Sequence, residues 1–183
     1  TSQLIFKNYR GRPQDFIDKV KSFGLGTPLG LQIKGEGDPL IKNYKDKTWS
    51  ALSLPWISIG YESKLTPLQL LAFYNAVANN GRMVHPRIVR EVRHSGQLVK
   101  SFPVEIIRDS IASTAALSKA RAMMEGVVQH GTASVLNKSP FKIAGKTGTA
   151  QINNPKFGYD KDHRSYQASF VGYFPADRPK YRS

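Results

Sequence analysis

The sequence has no cysteine, which excludes disulfides, thiolate zinc sites and a cysteine nucleophile within it. It has no apolar run approaching the roughly 20 residues that a membrane span requires. Acidic residues are scarce, with 13 Asp and Glu set against 27 Lys and Arg, so the formal net charge is +14. An excess of that size suits a nucleic acid or another polyanion. The cations are scattered, however, and neither an RRM-like nor a zinc-finger pattern accompanies them. Nucleic acid is therefore not expected as a partner. The four histidines, His85, His94, His130 and His163, show no metal-ligand spacing. Asp160 and Asp162 flank Lys161 without a calcium-loop pattern and read as a solvated turn. Neither a metal nor a cofactor is expected. No Gly-x-Ser-x-Gly elbow is present. The opening Thr1-Ser2-Gln3-Leu4 has none of the marks of a targeting signal, and the chain is expected to be a piece of a longer parent.

What the chain does contain is ordinary for one globular domain: 183 residues, 40% hydrophobic and 22% charged. Pro13 opens a helix whose Phe16, Ile17, Val20 and Phe23 share a face, and Gly24 supplies a positive φ to end it. Residues 24–61 are rich in Gly, Lys and Pro and read as a long surface connection. Thr66, Pro67 and Gln69 then form a capping box, with Leu65 and Leu70 at the staple positions, for a buried helix that Asn80-Gly81 stops. Ile88 to Val92 and Gln97 to Val99, joined by Ser95-Gly96, predict a hairpin. Ser113 to Gln129 predicts a second helix, with Leu117, Ala120, Met123, Met124 and Val127 on its core face and Gly131 at its end. Phe141 to Ile152 and Tyr166 to Phe174 predict strands pairing antiparallel across a polar loop through Asn153, Asn154 and Pro155.

The chemistry concentrates in Ala144-Gly145-Lys146-Thr147-Gly148-Thr149-Ala150-Gln151. A phosphate loop would require Gly where Pro140 stands, and a helix where Thr147-Gly148-Thr149 stands. That reading fails. A plain edge strand is the bland alternative, since Lys-Thr-Gly arises by chance in roughly a few per cent of chains this long. The third reading is the Lys-Thr-Gly strand of active-serine acyl-transfer enzymes. Backbone N–H groups on a rigid strand stabilise an oxyanion without reorganising. Gly148 admits a substrate close to the backbone, Lys146 places a positive charge beside the nucleophile, and the Thr147 and Thr149 hydroxyls can donate to a carboxylate. A peptide could add along the strand edge.

Surrounding phrases favour this third reading. Gly131-Thr132-Ala133, the run Ile143 to Gln151, the run Ser169 to Asp177, Ser58-Ile59-Gly60-Tyr61, and Thr66 to Leu70 continuing to Gly81 together resemble the transpeptidase domain of class B penicillin-binding proteins. The resemblance runs from about Trp56 to Pro179, and is loose over the first fifty residues. It implies a mixed α and β fold, an antiparallel sheet flanked by helices as in the β-lactamases, with residues 1–183 forming one partial domain truncated at both ends. It also implies that Lys146 and Thr149 are catalytic, the latter through its N–H as an oxyanion donor, and that Lys146, Thr147, Gly148 and Thr149 bind substrate.

The family's nucleophile lies in a Ser-x-x-Lys motif at a helix start, followed by Ser-x-Asn. Ser139-Pro140-Phe141-Lys142 matches the first formula, but it lies on the approach to the binding strand, where residues three apart point to opposite faces. No Ser-x-Asn occurs. The nucleophile is therefore expected upstream, and the chain alone is expected to be inactive. By the resemblance, the intact parent cross-links peptidoglycan stem peptides ending in D-alanyl-D-alanine, is acylated by β-lactams, and works with the cell-wall synthesis machinery. Its anchor would lie in the bacterial cytoplasmic membrane, with this domain outside. The rivals are a D,D-carboxypeptidase or β-lactamase with water as acceptor, and a non-enzymatic β-lactam sensor.

Overall fold

The computed structural model describes residues 1–152, 165–179 and 181–182, the last pair by backbone only. The chain forms two compact units, Thr1–Ala76 with Gly81–Ala112, and Val77–Asn80 with Ser113–Ser183.

The first unit opens with helices α1 (Ser2–Tyr9) and α2 (Pro13–Val20), which continues as a π-helical turn over Lys21–Leu25. Pro13 sits at the start of α2 and Gly24 takes φ 89° inside the turn, as the sequence predicts. The preceding α1 buries no residue, so it left no apolar periodicity to read. The face of α2 seeds the core, where Ile17, Leu25 and Ile41 are buried against Val20, Phe23, Trp49, Leu65 and Phe73.

The expected surface connection over residues 24–61 is overturned. It holds β1 (Leu40–Ile41), α3 (Ser53–Ile57) and buried Leu29, Ile41, Leu54 and Ile57. Its turns are fixed by side chains rather than by periodic structure. The Glu36 carboxylate accepts the backbone N–H groups of Leu29, Gly30 and Leu31. Those bonds, the one from Leu31 foremost, hold its pKa below the usual carboxylate value against the opposing effect of desolvation. Beyond it, β1 pairs antiparallel with β2 (Ser63–Lys64), and Lys42 reaches both Glu62 at 3.0 Å and Ser53 Oγ at 3.4 Å.

Helix α4 (Pro67–Ala78) begins with the predicted reciprocal cap. Thr66 N–H donates to Gln69 Oε1 at 2.8 Å, and Gln69 N–H donates to Thr66 Oγ1 at 3.2 Å. Leu70, assigned from sequence to the staple, is exposed, while Leu65 packs into the core cluster. Asn80 and Gly81, at φ 55° and 91°, end the helix. Strand β3 (Met83–Val84) follows, then the hairpin β4 (Glu91–His94) and β5 (Gln97–Ser101), then β6 (Ile106–Arg108), which pairs with β3. The hairpin turns at Ser95-Gly96 as expected, but its first strand starts at Glu91 rather than Ile88.

The second unit is built on α5 (Thr114–Gln129), capped by Ser113, whose Oγ accepts from the Ala116 N–H at 3.3 Å. Its core face is Leu117, Met124 and Val128. Met123 was expected there too, but it is 68% exposed, because Met123 and Met124 are neighbours and one helical face cannot take both. A 3-10 turn (Ser134–Lys138) leads to β7 (Ala144–Ile152), which pairs antiparallel with β8 (Ser165–Phe174) in an unbroken register from Ala144↔Tyr173 to Ile152↔Ser165. Phe141 to Ile143, expected in the strand, precede it. A short strand, β9 (Tyr181–Arg182), pairs antiparallel with the other side of β8. The sheet order is β7-β8-β9, so among the described residues β7 is an edge. The loop residues Asn153 to Pro155, the Asp160 to Asp162 turn and His163 lie outside the described residues.

Candidate active site

Strand β7 carries all four residues singled out in the sequence. Side chains alternate along a strand, so Lys146 and Gly148 fall on one face and Thr147 and Thr149 on the other. Lys146 is exposed and its Nζ donates to the Thr147 carbonyl at 2.6 Å. Thr147 is half-buried, and its hydroxyl lies 2.6 Å from that of Thr132. Gly148 lies opposite Ser169, and Thr149, exposed, lies opposite Ala168. On an edge strand, alternate residues turn their N–H and C=O groups away from the neighbouring strand. Among the described residues no strand pairs with this outer edge of β7, a geometry to which an extended peptide can add.

Two glycines face each other where β7 meets β8. Gly145 lies opposite Gly172, and both are buried. A Cβ on Gly145 would meet the Phe170 ring and come 2.7 Å from the Val171 carbonyl oxygen. One on Gly172 would come 2.8 Å from the Ala144 carbonyl oxygen and from the same ring. Phe170 thus fills the space that the two glycines leave. On β8, Tyr173 is 1% exposed and packs opposite Ala144, with no hydrogen-bond partner for its hydroxyl among the described residues. Burial pushes its pKa up to about 12, with Arg121 pulling down and Glu125 pushing up.

Ser139 does not join this arrangement. It follows the 3-10 turn, and its Oγ accepts the Phe141 N–H at 3.2 Å. The strand alternation expected to part Ser139 from Lys142 does not apply, because β7 starts only at Ala144. Lys142 is exposed, and its carbonyl accepts the Ala176 N–H at 2.8 Å. Sequence reasoning missed Thr132, Phe170 and Gly172 as parts of the site. The signal available for them was the Gly131-Thr132-Ala133 phrase and the Gly145↔Gly172 register, which appears only once the strands are aligned.

The profile of the penicillin binding protein transpeptidase domain matches residues 7–182, nearly the whole chain. The chain belongs to that family. It is 34% identical over 177 residues to penicillin-binding protein PbpB of Mycolicibacterium smegmatis, covering 92% of this chain and 26% of that protein. The peptidoglycan D,D-transpeptidase MrdA of Acinetobacter baumannii is 30% identical over 178 residues, covering 88% of this chain and 26% of that enzyme. Among solved structures, penicillin binding protein 3 of Mycobacterium tuberculosis complexed with aztreonam superposes with a TM-score of 0.76 at 30% identity, over 91% of this chain and 38% of that one. The chain thus spans about a quarter of the length of the curated relatives it matches. As in the solved relatives, the fold is the expected mixture of helix and sheet.

Proposed function

We propose that this chain is part of the transpeptidase domain of a peptidoglycan D,D-transpeptidase, with both compact units belonging to that one domain. The observation that carries the reading is the placement of Lys146-Thr147-Gly148-Thr149 on β7, an edge strand of its antiparallel sheet among the described residues. The substrate is a stem peptide ending in D-alanyl-D-alanine, laid along β7 with its terminal carboxylate at the Thr147 and Thr149 hydroxyls. A serine outside this chain attacks the penultimate D-alanine carbonyl, forming a C–O bond while the C–N bond breaks. The proton goes to the departing D-alanine amine. The Thr149 N–H stabilises the oxyanion, and Lys146 stabilises negative charge beside the serine. An amine of a neighbouring strand then takes the acyl group and restores the serine hydroxyl. β-Lactams acylate the same serine. The intact protein works at the outer side of the cytoplasmic membrane with other cell-wall enzymes.

The test is fluorescent-penicillin labelling followed by denaturing gel and intact mass. The intact protein is expected to take one label per chain and this chain alone none. Lys146→Ala in the intact protein should slow acylation by an amount worth on the order of a few kcal/mol. A stoichiometric adduct on this chain alone, abolished by Ser139→Ala, would make Ser139 the nucleophile and overturn this division of the site. Transfer of the acyl group to water but never to an amine would make the enzyme a carboxypeptidase.

A further inference from the structure

The Thr132 and Thr147 hydroxyls are 2.6 Å apart, and either geometry of donor and acceptor fits that distance. Their assignment matters, because a carboxylate only accepts hydrogen bonds. If Thr147 gave its proton to Thr132, it would present a lone pair to the anion. If Thr132 gives its proton to Thr147, the Thr147 hydrogen is free to point outward. We infer that Thr132 is a positioning residue, which donates to Thr147 and so makes the Thr147 hydroxyl a donor to the substrate carboxylate. This inference rests on the carboxylate-binding role proposed above for β7.

The surroundings of Thr132 fix its backbone. The residue lies just past the end of α5, where the chain crosses the last helical turn closely. A Cβ on Gly131 would lie 2.9 Å from both the Cα and the carbonyl oxygen of Val127. Ala133, on the other side, is buried, and its N–H donates to the Val127 carbonyl at 3.1 Å. The Ser134 N–H donates to the Gly131 carbonyl at 3.1 Å, starting the 3-10 turn. Thr132 is thus clamped on both sides while its own side chain stays exposed. Thr147 and Thr149 share the strand face on which that hydroxyl makes its bond. A donor chain running Thr132 to Thr147 to anion also gains from polarisation, since each bond strengthens the next. A backbone held this way places the Thr132 side chain beside Thr147 before the ligand arrives, which lowers the ordering cost of binding.

The experiment measures second-order acylation of the intact protein by a penicillin and by the methyl ester of the same penicillin. The variants are Thr132→Val, Thr132→Ser and Thr132→Ala, with melting temperatures read alongside. The wild type should favour the carboxylate over the ester. Thr132→Val should lose roughly tenfold of that preference through weaker binding rather than a slower chemical step. Thr132→Ser should keep it, and Thr132→Ala should behave as Val, which covers a Val variant that does not fold. Equal preference in Val, Ala and wild type would overturn the inference and leave the acyl-transfer reading standing. A stronger preference in Val would overturn it too, by placing the proton on Thr147 toward Thr132. A wild type that penicillin does not label would overturn both.

Discussion

Tyr173 is the residue where burial and ionisation meet most plainly. Its ring is almost wholly enclosed, its hydroxyl lacks a partner among the described residues, and its pKa is raised to about 12. An unfolded tyrosine ionises near pH 10. Its contribution to stability is therefore complete below about pH 10 and is lost as the pH rises from there through about 12, because the unfolded chain releases the proton first. The melting temperature should fall over that window, and Tyr173→Phe should flatten part of the fall. At neutral pH the same substitution should be neutral or slightly stabilising, since it removes a buried hydroxyl that bonds to nothing. A clear loss of stability in Tyr173→Phe at pH 7 would mean that the hydroxyl has a partner after all.

Where β7 meets β8 at Gly145 and Gly172, a Cβ on either residue would meet the Phe170 ring and a backbone carbonyl oxygen. Gly145→Ala should cost about 1–3 kcal/mol, because its Cβ meets both the Phe170 ring and the Val171 carbonyl. Phe170→Ala should relieve part of that cost and leave the part due to the backbone, so denaturant unfolding of the double mutant should show coupling with incomplete rescue. Additive costs would mean that the ring is not the obstacle. Elements of this kind also decide how much was legible from sequence. The cap at Thr66 and Gln69, the helix at Ser113 and the two long strands were readable because each signal is local: a hydroxyl three residues from an amide, or an alternation of period two. Residues 24–61 were misread because their order comes from contacts that sequence spacing does not encode. The Glu36 carboxylate gathers amides five to seven residues back, and Ile41 is buried from a strand of two residues. The candidate site was half legible for the same reason. Its motif is contiguous, but Thr132 reaches Thr147 across fifteen residues, and Phe170 reaches Gly145 only through the strand register.

At the scale of the whole molecule, the net charge is +14, and ion pairs within the chain leave it unchanged, since each joins one positive and one negative group. Such a chain should bind any polyanion by counterion release alone. A gel shift with duplex DNA should accordingly show weak binding that disappears as salt is raised, with no difference between unrelated sequences. Sequence-selective binding that survives about 0.2 M salt, slightly above physiological strength, would restore nucleic acid as a partner.

The exposed edge of β7 carries a liability that follows from its proposed use. A strand whose amides and carbonyls welcome a peptide welcomes equally the same strand of another copy, and sheet growth of that kind has no natural end. The sequence of this edge reads as a compromise with that hazard. Lys146 sets a charge in the middle, so that two copies aligned antiparallel about it would bring like charges together, and Gly145 and Gly148 weaken the intrinsic preference for extended pairing. The residue assigned to chemistry thus doubles as a guard on colloidal behaviour. Lys146→Ala should lower the concentration at which the protein aggregates as well as its rate of acylation, and light scattering would separate the two effects.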